Sequence, residues 1–167
     1  YFITKALDKT RPCIDTSGYV HQKFSDIYDM HNYTQDPEHM RSDYAEFENG
    51  GMPVDERNMF FRRKSYYNGQ PLFVSEFGGA RWSEETATGK ETSWGYGNDP
   101  QSEQEFFERF EGLCYALMDN KNIFGFCYTQ LYDIEQEQNG LLYYNRSPKF
   151  EPAKFKAILD RKAKIED

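Results

Sequence analysis

The sequence predicts an α/β fold in which helices cover a parallel sheet. Two observations carry that prediction. The runs Leu72-Phe73-Val74-Ser75 and Ile123-Phe124-Gly125-Phe126-Cys127-Tyr128 are apolar nearly throughout. Strands buried on both faces have that pattern, whereas half-exposed strands alternate. Helical patterns also separate the strand-like runs one by one, as in successive βα units.

Each element follows from local chemistry. Residues up to about Asp8 have the character of a helix end, and Lys9-Thr10-Arg11-Pro12 is a turn. Cys13-Ile14-Asp15-Thr16-Ser17-Gly18 reads as a first short strand closed by glycine. A second strand runs from about Asp26 to Tyr33. Asp36-Pro37-Glu38 opens a helix, because proline suits the first turn and acids suit its positive end; Asn49-Gly50-Gly51 stops it. A helical stretch near Glu56–Tyr67 leads into the Leu72 strand, and a glycine-rich loop with two tryptophans extends to Pro100. Ser102 and Glu105 have capping-box spacing. Phe106, Phe110, Leu113 and Leu117 then mark one face of a long helix. After the Ile123 strand, a polar loop from Asp133 to Arg146 precedes a last helix from about Pro152 to Lys164.

Four strands in 167 residues match half of a (β/α)8 barrel, which has eight strands in about 250 residues. The competing architecture is a small doubly wound sheet. No GxGxxG or GxxxxGK[ST] pattern follows any strand, so nothing supports nucleotide binding. The length suits one domain.

Composition narrows the function. A net charge of -8 opposes binding to nucleic acid, whose phosphates require a basic footprint. Lys and Arg are scattered and no apolar run approaches the roughly 20 residues of a bilayer span, so no membrane partner is expected. Three cysteines and three histidines show no metal-ligand spacing, and no metal or cofactor is expected. The cysteines read as buried free thiols, which weakly favours a reducing, cytoplasmic compartment. Aromatic residues make up 17 % of the chain. They fit a packed core and also the stacking faces of a carbohydrate site.

The segment with the sharpest chemistry is Phe73-Val74-Ser75-Glu76-Phe77-Gly78-Gly79. An ionisable Glu stands where an apolar strand ends, and strand carboxyl ends face the active site in parallel α/β folds. A carboxylate there can attack an anomeric carbon or be held in an ion pair. His31 lies on the opposite side of its strand from Tyr28 and Met30, where it either meets ligand or serves the structure. Trp82 and Trp94 either form sugar platforms or pack the loop. Glu135, Glu137 and Asn139 lie in the loop after the last strand.

Three segments, taken in order, resemble glycoside hydrolase family 2, the β-galactosidase and β-glucuronidase family. They are Asp29-x-His31-Asn32-Tyr33-Thr34-Gln35-Asp36-Pro37-Glu38, the Pro71–Gly79 segment, and Gly125–Leu131 with Glu137-Gln138-Asn139-Gly140. The resemblance covers nearly the whole chain, and Ser75-Glu76-Phe77-Gly78-Gly79 is its specific part. It implies strands 5–8, the C-terminal half, of a TIM-barrel catalytic domain. It implies Glu76 as the nucleophile of a retaining glycosidase and Tyr33 as the residue that hydrogen-bonds it. His31, Trp82, Trp94 and Tyr128 are the expected substrate-binding residues, although Tyr128 stands where the family often has Trp. The family's acid/base is a Glu preceded by Asn on the fourth strand, and this sequence has no Asn-Glu dipeptide. The expectation is therefore a fragment, inactive alone, whose missing N-terminal barrel half supplies the acid/base. Its open sheet edges lead to an expected homodimer of the fragment. The alternative is a barrel-derived domain that binds carbohydrate without cleaving it.

Overall fold

The computed structural model describes residues 1–18, 20–53, 67–83 and 93–167. Along them run α1 (Phe2–Leu7), β1 (Tyr28–Asn32), α2 (Pro37–Glu48), β2 (Leu72–Phe77), α3 (Glu103–Met118), β3 (Ile123–Tyr128), α4 (Pro152–Leu159) and a 3-10 turn (Lys164–Glu166). The helical stretch expected near 56–67 lies almost wholly outside the described residues. β1, β2 and β3 form one parallel sheet in that order.

Helix limits follow the signals in the sequence. Asp36 caps α2 by accepting from the His39 N–H at 2.8 Å, with Pro37 in the first turn. Ser102 Oγ caps α3 through the Glu105 N–H at 3.1 Å. Glu105 reaches back to the Gln101 N–H at 2.7 Å, one residue before the cap, so the reciprocal bond of the box is displaced by one position. α4 ends at Leu159, short of the expected Lys164. There the chain turns so that Arg161 pairs with Asp119 and lies over the Tyr115 ring.

The core lies between the sheet and the helices. Tyr28 and Met30 of β1, Leu72, Val74 and Phe77 of β2, and Ile123 of β3 meet Met40, Tyr44 and Phe47 of α2 and Phe106, Phe110, Leu113 and Leu117 of α3. The other face of the sheet carries Phe73 and Phe124, whose rings stack at 5.5 Å. No helix covers it among the described residues, and Phe124 is 44 % exposed.

Two irregularities set which side chains reach that open face. In β2, Met30 pairs with Val74 but His31 pairs with Glu76, so Ser75 is an extra residue. In β3, Leu72 pairs with Ile123 but Phe73 pairs with Gly125, so Phe124 is extra. Each bulge reverses the alternation beyond it.

The expected strand at Cys13–Gly18 is not formed; the count is three strands, not four, among the described residues. Its polar side chains bend the backbone into a loop. The Asp15 carboxylate takes His21 Nδ1 at 2.7 Å and the Gln22 N–H at 2.6 Å. Gly18 adopts φ +90° and donates its N–H to Asp29 Oδ2 at 2.8 Å. Expected thiol burial holds for Cys114, where burial pushes the thiol up to about 12. Cys13 is half-buried and Cys127 is exposed.

One buried ion pair fastens the loop after β3. Lys149 Nζ, fully buried, donates to Asp133 Oδ1 at 2.7 Å and to the carbonyls of Trp82 and Gln138 at 2.6 and 3.1 Å. Burial lowers the lysine's pKa, and Asp133 opposes that effect. Lys149→Met is predicted to cost about 3–5 kcal/mol, the usual loss when one partner of a buried pair is removed. Urea unfolding measures this; a loss below about 1 kcal/mol contradicts it.

Candidate active site

The C-terminal ends of β1 and β2 bring three candidate residues together. β1 alternates without interruption: Tyr28 and Met30 enter the core, while Asp29 and His31 take the other face. Tyr33 follows directly after the strand. On β2 the extra residue sends Phe77 into the core and leaves Glu76 on the side of His31. Tyr33 Oη donates to Glu76 Oε2 at 2.5 Å, and His31 Nδ1 lies 3.1 Å from the same oxygen. The Glu76 side chain remains 39 % exposed.

Burial first, and then the proton it shares with Glu76, hold the Tyr33 phenol above its ordinary range. The phenol therefore stays protonated and donates. Its ring is fixed as well. Tyr96 stacks on it with centroids 3.5 Å apart and planes 13° from parallel. Tyr96 is tied to Gly79 O through its N–H at 2.8 Å. Gln35 spans both strand ends, donating Nε2 to Tyr33 O at 3.1 Å and Gly78 O at 2.6 Å.

Trp94 extends this aromatic series. Its ring meets Tyr96 edge-on at 5.8 Å and is 47 % exposed. The Trp94 backbone is bonded to Gln136 and Gln138, which places the loop after β3 behind it. Within that loop Asn139, fully buried, donates to Glu137 Oε1 at 3.1 Å and accepts from Gln130 at 2.8 Å.

Two expected site residues lie elsewhere. Trp82 packs against Phe150 and Phe106, with centroids 5.5 and 6.2 Å away. That is core packing in place of an exposed sugar platform. Tyr128 does end β3 at the level of Phe77, but its ring lies on the helix-covered face, against Phe77 and Phe110. The extra residue Phe124 turned it there. Gly78, at φ +77°, rests on that ring where any Cβ would collide with it. Burial raises the Tyr128 phenol above its usual range, against the opposing backbone amides of Gly79 and Ala80. The expectation that Tyr128 borders the site is thus corrected to a supporting role under the Gly78-Gly79 turn.

Tyr96, Gln35 and Ser17 were not singled out in the sequence. Gln35 lies within the Asp29–Glu38 segment but carried no role there, and no motif marks Tyr96 or Ser17; their place depends on which loops fold over the strand ends.

The sequence matches no protein-family model. It matches no curated protein. Solved structures do match in fold. A β-glucuronidase of Bacteroides uniformis superposes on 89 % of this chain with a TM-score of 0.59 and 18 % identity. A β-glucuronidase of an uncultured Clostridium sp. superposes on 94 % with a TM-score of 0.57 and 16 % identity. The chain spans only 18 % and 27 % of those proteins. At such identities the likeness is one of fold: a parallel sheet with its helices, arranged as in part of each larger protein.

The Tyr33 contact predicts a pH effect. An unfolded tyrosine ionises near pH 10. The folded value is raised, so the stabilisation is complete below about pH 10 and is lost as pH rises beyond it. Tyr33→Phe has no phenol to ionise. The stability advantage of the wild type over this variant should shrink between pH 8 and 11 in urea unfolding. A gap that does not change with pH contradicts the assignment.

Proposed function

We propose that this chain is the nucleophile-bearing part of a retaining β-glycosidase, with β1, β2 and β3 as strands 6–8 of a larger (β/α)8 barrel. The observation that carries the reading is the gripped carboxylate. Glu76 stands near the carboxyl end of the middle strand of a parallel sheet, on the face away from the helices, with a phenol 2.5 Å and an imidazole 3.1 Å from one of its oxygens. A carboxylate displayed at the carboxyl end of a parallel strand is placed to act as a nucleophile. The fold likeness to parts of two β-glucuronidases supports the reading, and so does the Ser75–Gly79 segment's resemblance to glycoside hydrolase family 2.

Double displacement assigns the chemistry. The Glu76 carboxylate attacks the anomeric carbon as a second carboxylic acid protonates the departing oxygen; water, activated by the same second group, then releases the sugar. In such enzymes the two carboxyl groups stand about 5–5.5 Å apart. The second group comes from outside this chain, on the strands that complete the barrel. Trp94, exposed at the end of the Tyr33–Tyr96 stack, offers an aromatic face to a sugar ring.

In the parent protein, Glu76→Gln should abolish hydrolysis of an aryl β-glycoside while the melting temperature is retained. The amide keeps the shape and loses the charge. Near wild-type turnover refutes the assignment. Parent protein that binds the glycoside without any turnover, before mutation, favours the non-catalytic carbohydrate-binding reading instead.

A further inference from the structure

The loop between α1 and β1 closes over His31 and leaves its ring little freedom. His31 Nε2 lies 3.0 Å from Ser17 Oγ and 4.0 Å from Asp29 Oδ2, and Nδ1 lies 3.1 Å from Glu76 Oε2. The Gly18 backbone lies close against the imidazole. A Cβ there would come within 3.2 Å of Cε1 and Nδ1, and φ +90° disfavours any side chain.

The loop itself is anchored by groups that are almost wholly buried. Asp29, 1 % exposed, takes the Gly18 N–H at 2.8 Å. His21, fully buried, reaches Gly18 O and Asp29 O at 2.9 and 2.6 Å through Nε2, and Asp15 through Nδ1. A polar loop this densely bonded serves as a rest for the His31 ring.

Hydrogen-bond chemistry then decides where the His31 proton sits. Glu76 Oε2 is a carboxylate oxygen and can only accept, so Nδ1 must carry a proton. In the neutral ring Nε2 is then bare and accepts from the Ser17 hydroxyl. Water favours the other tautomer for a free histidine side chain, so this assignment is a demand of the surroundings.

We infer that His31 is a positioning residue: its Nδ1–H and the Tyr33 hydroxyl together grip Glu76 Oε2, which leaves Oε1 as the oxygen free to attack. The purpose of the grip rests on the reading of Glu76 as nucleophile. The grip itself does not, and it can be tested without turnover. Two donors on one oxygen fix the plane of the carboxylate, so the free oxygen is presented in a single orientation. Asp15, Ser17, Gly18 and His21 are thereby part of the site's construction, though no described contact joins any of them to Glu76.

Long-range 1H–15N NMR of this chain at about pH 8.5 reads the tautomer directly. Three histidines are present, and His31→Asn identifies the His31 signals by their loss. The expected wild-type pattern is Nδ1–H. It should persist in Tyr33→Phe, which retains the acceptor. It should move toward Nε2–H in Glu76→Ala, and amide spectra confirm that each variant is folded. A wild-type Nε2–H pattern overturns the inference, whatever the variants do. So does an Nδ1–H pattern that a folded Glu76→Ala leaves unchanged. Neither outcome bears on whether Glu76 attacks a sugar, so failure here and failure of the glycosidase reading remain distinguishable.

Discussion

One extra residue in β2 governs the rest of the site. Strand side chains alternate strictly, so without Ser75 as a bulge Glu76 would share a face with Leu72 and Val74 and point into the core. With it, Phe77 enters the core and Glu76 emerges beside His31 and Tyr33. The apolar demand of Phe77 holds the bulge in place. A return to regular pairing would expose a phenylalanine that is now fully buried, at a cost of about 1.5–3 kcal/mol. It would also bury a carboxylate without its donors. Packing on one face thus fixes where the carboxylate emerges on the other.

Successive layers of support stand behind the carboxylate. Tyr33 is stacked on Tyr96, and Gln35 ties the backbones of the two strand ends together. Beyond them the loop after β3 supports Trp94, and the buried Lys149–Asp133 pair closes that loop onto Trp82 and Gln138. The Gly78-Gly79 turn rests on Tyr128, itself seated on Phe77 and Phe110. Each support arises from a different element, so the site depends on the tertiary fold more than on any one strand.

What the sequence made legible follows from range. Caps at Asp36 and Ser102, the apolar runs of β2 and β3 and the face of α3 are local signals, and all appear where expected. The placement of Glu76 at a strand end was legible too, as was the side of β1 that His31 occupies. The segment Cys13–Gly18 forms a loop in place of the expected strand because Asp15, Ser17 and Gly18 bond to His21, His31 and Asp29, partners that no local pattern reveals. Tyr128 was misplaced for a single reason: register shifts are properties of a strand pair, and one extra residue at Phe124 reverses its face. Trp82 lies in the loop as expected, and of its two readings the structure takes packing, with Phe106 and Phe150 against its ring.

The central claim is that Glu76 is a nucleophile displayed by the β2 bulge. Covalent trapping tests it most directly. A 2-deoxy-2-fluoro β-glycoside with an activated leaving group slows breakdown of a glycosyl-enzyme more than its formation, and its good leaving group lessens the need for the acid. Incubated with the parent protein and followed by peptide mass spectrometry, the reagent should leave one fluoroglycosyl group on the peptide containing Ser75-Glu76-Phe77, at Glu76. A label on a different carboxylate, or turnover of the natural-type glycoside by a protein in which Glu76 never becomes labelled, would contradict the account.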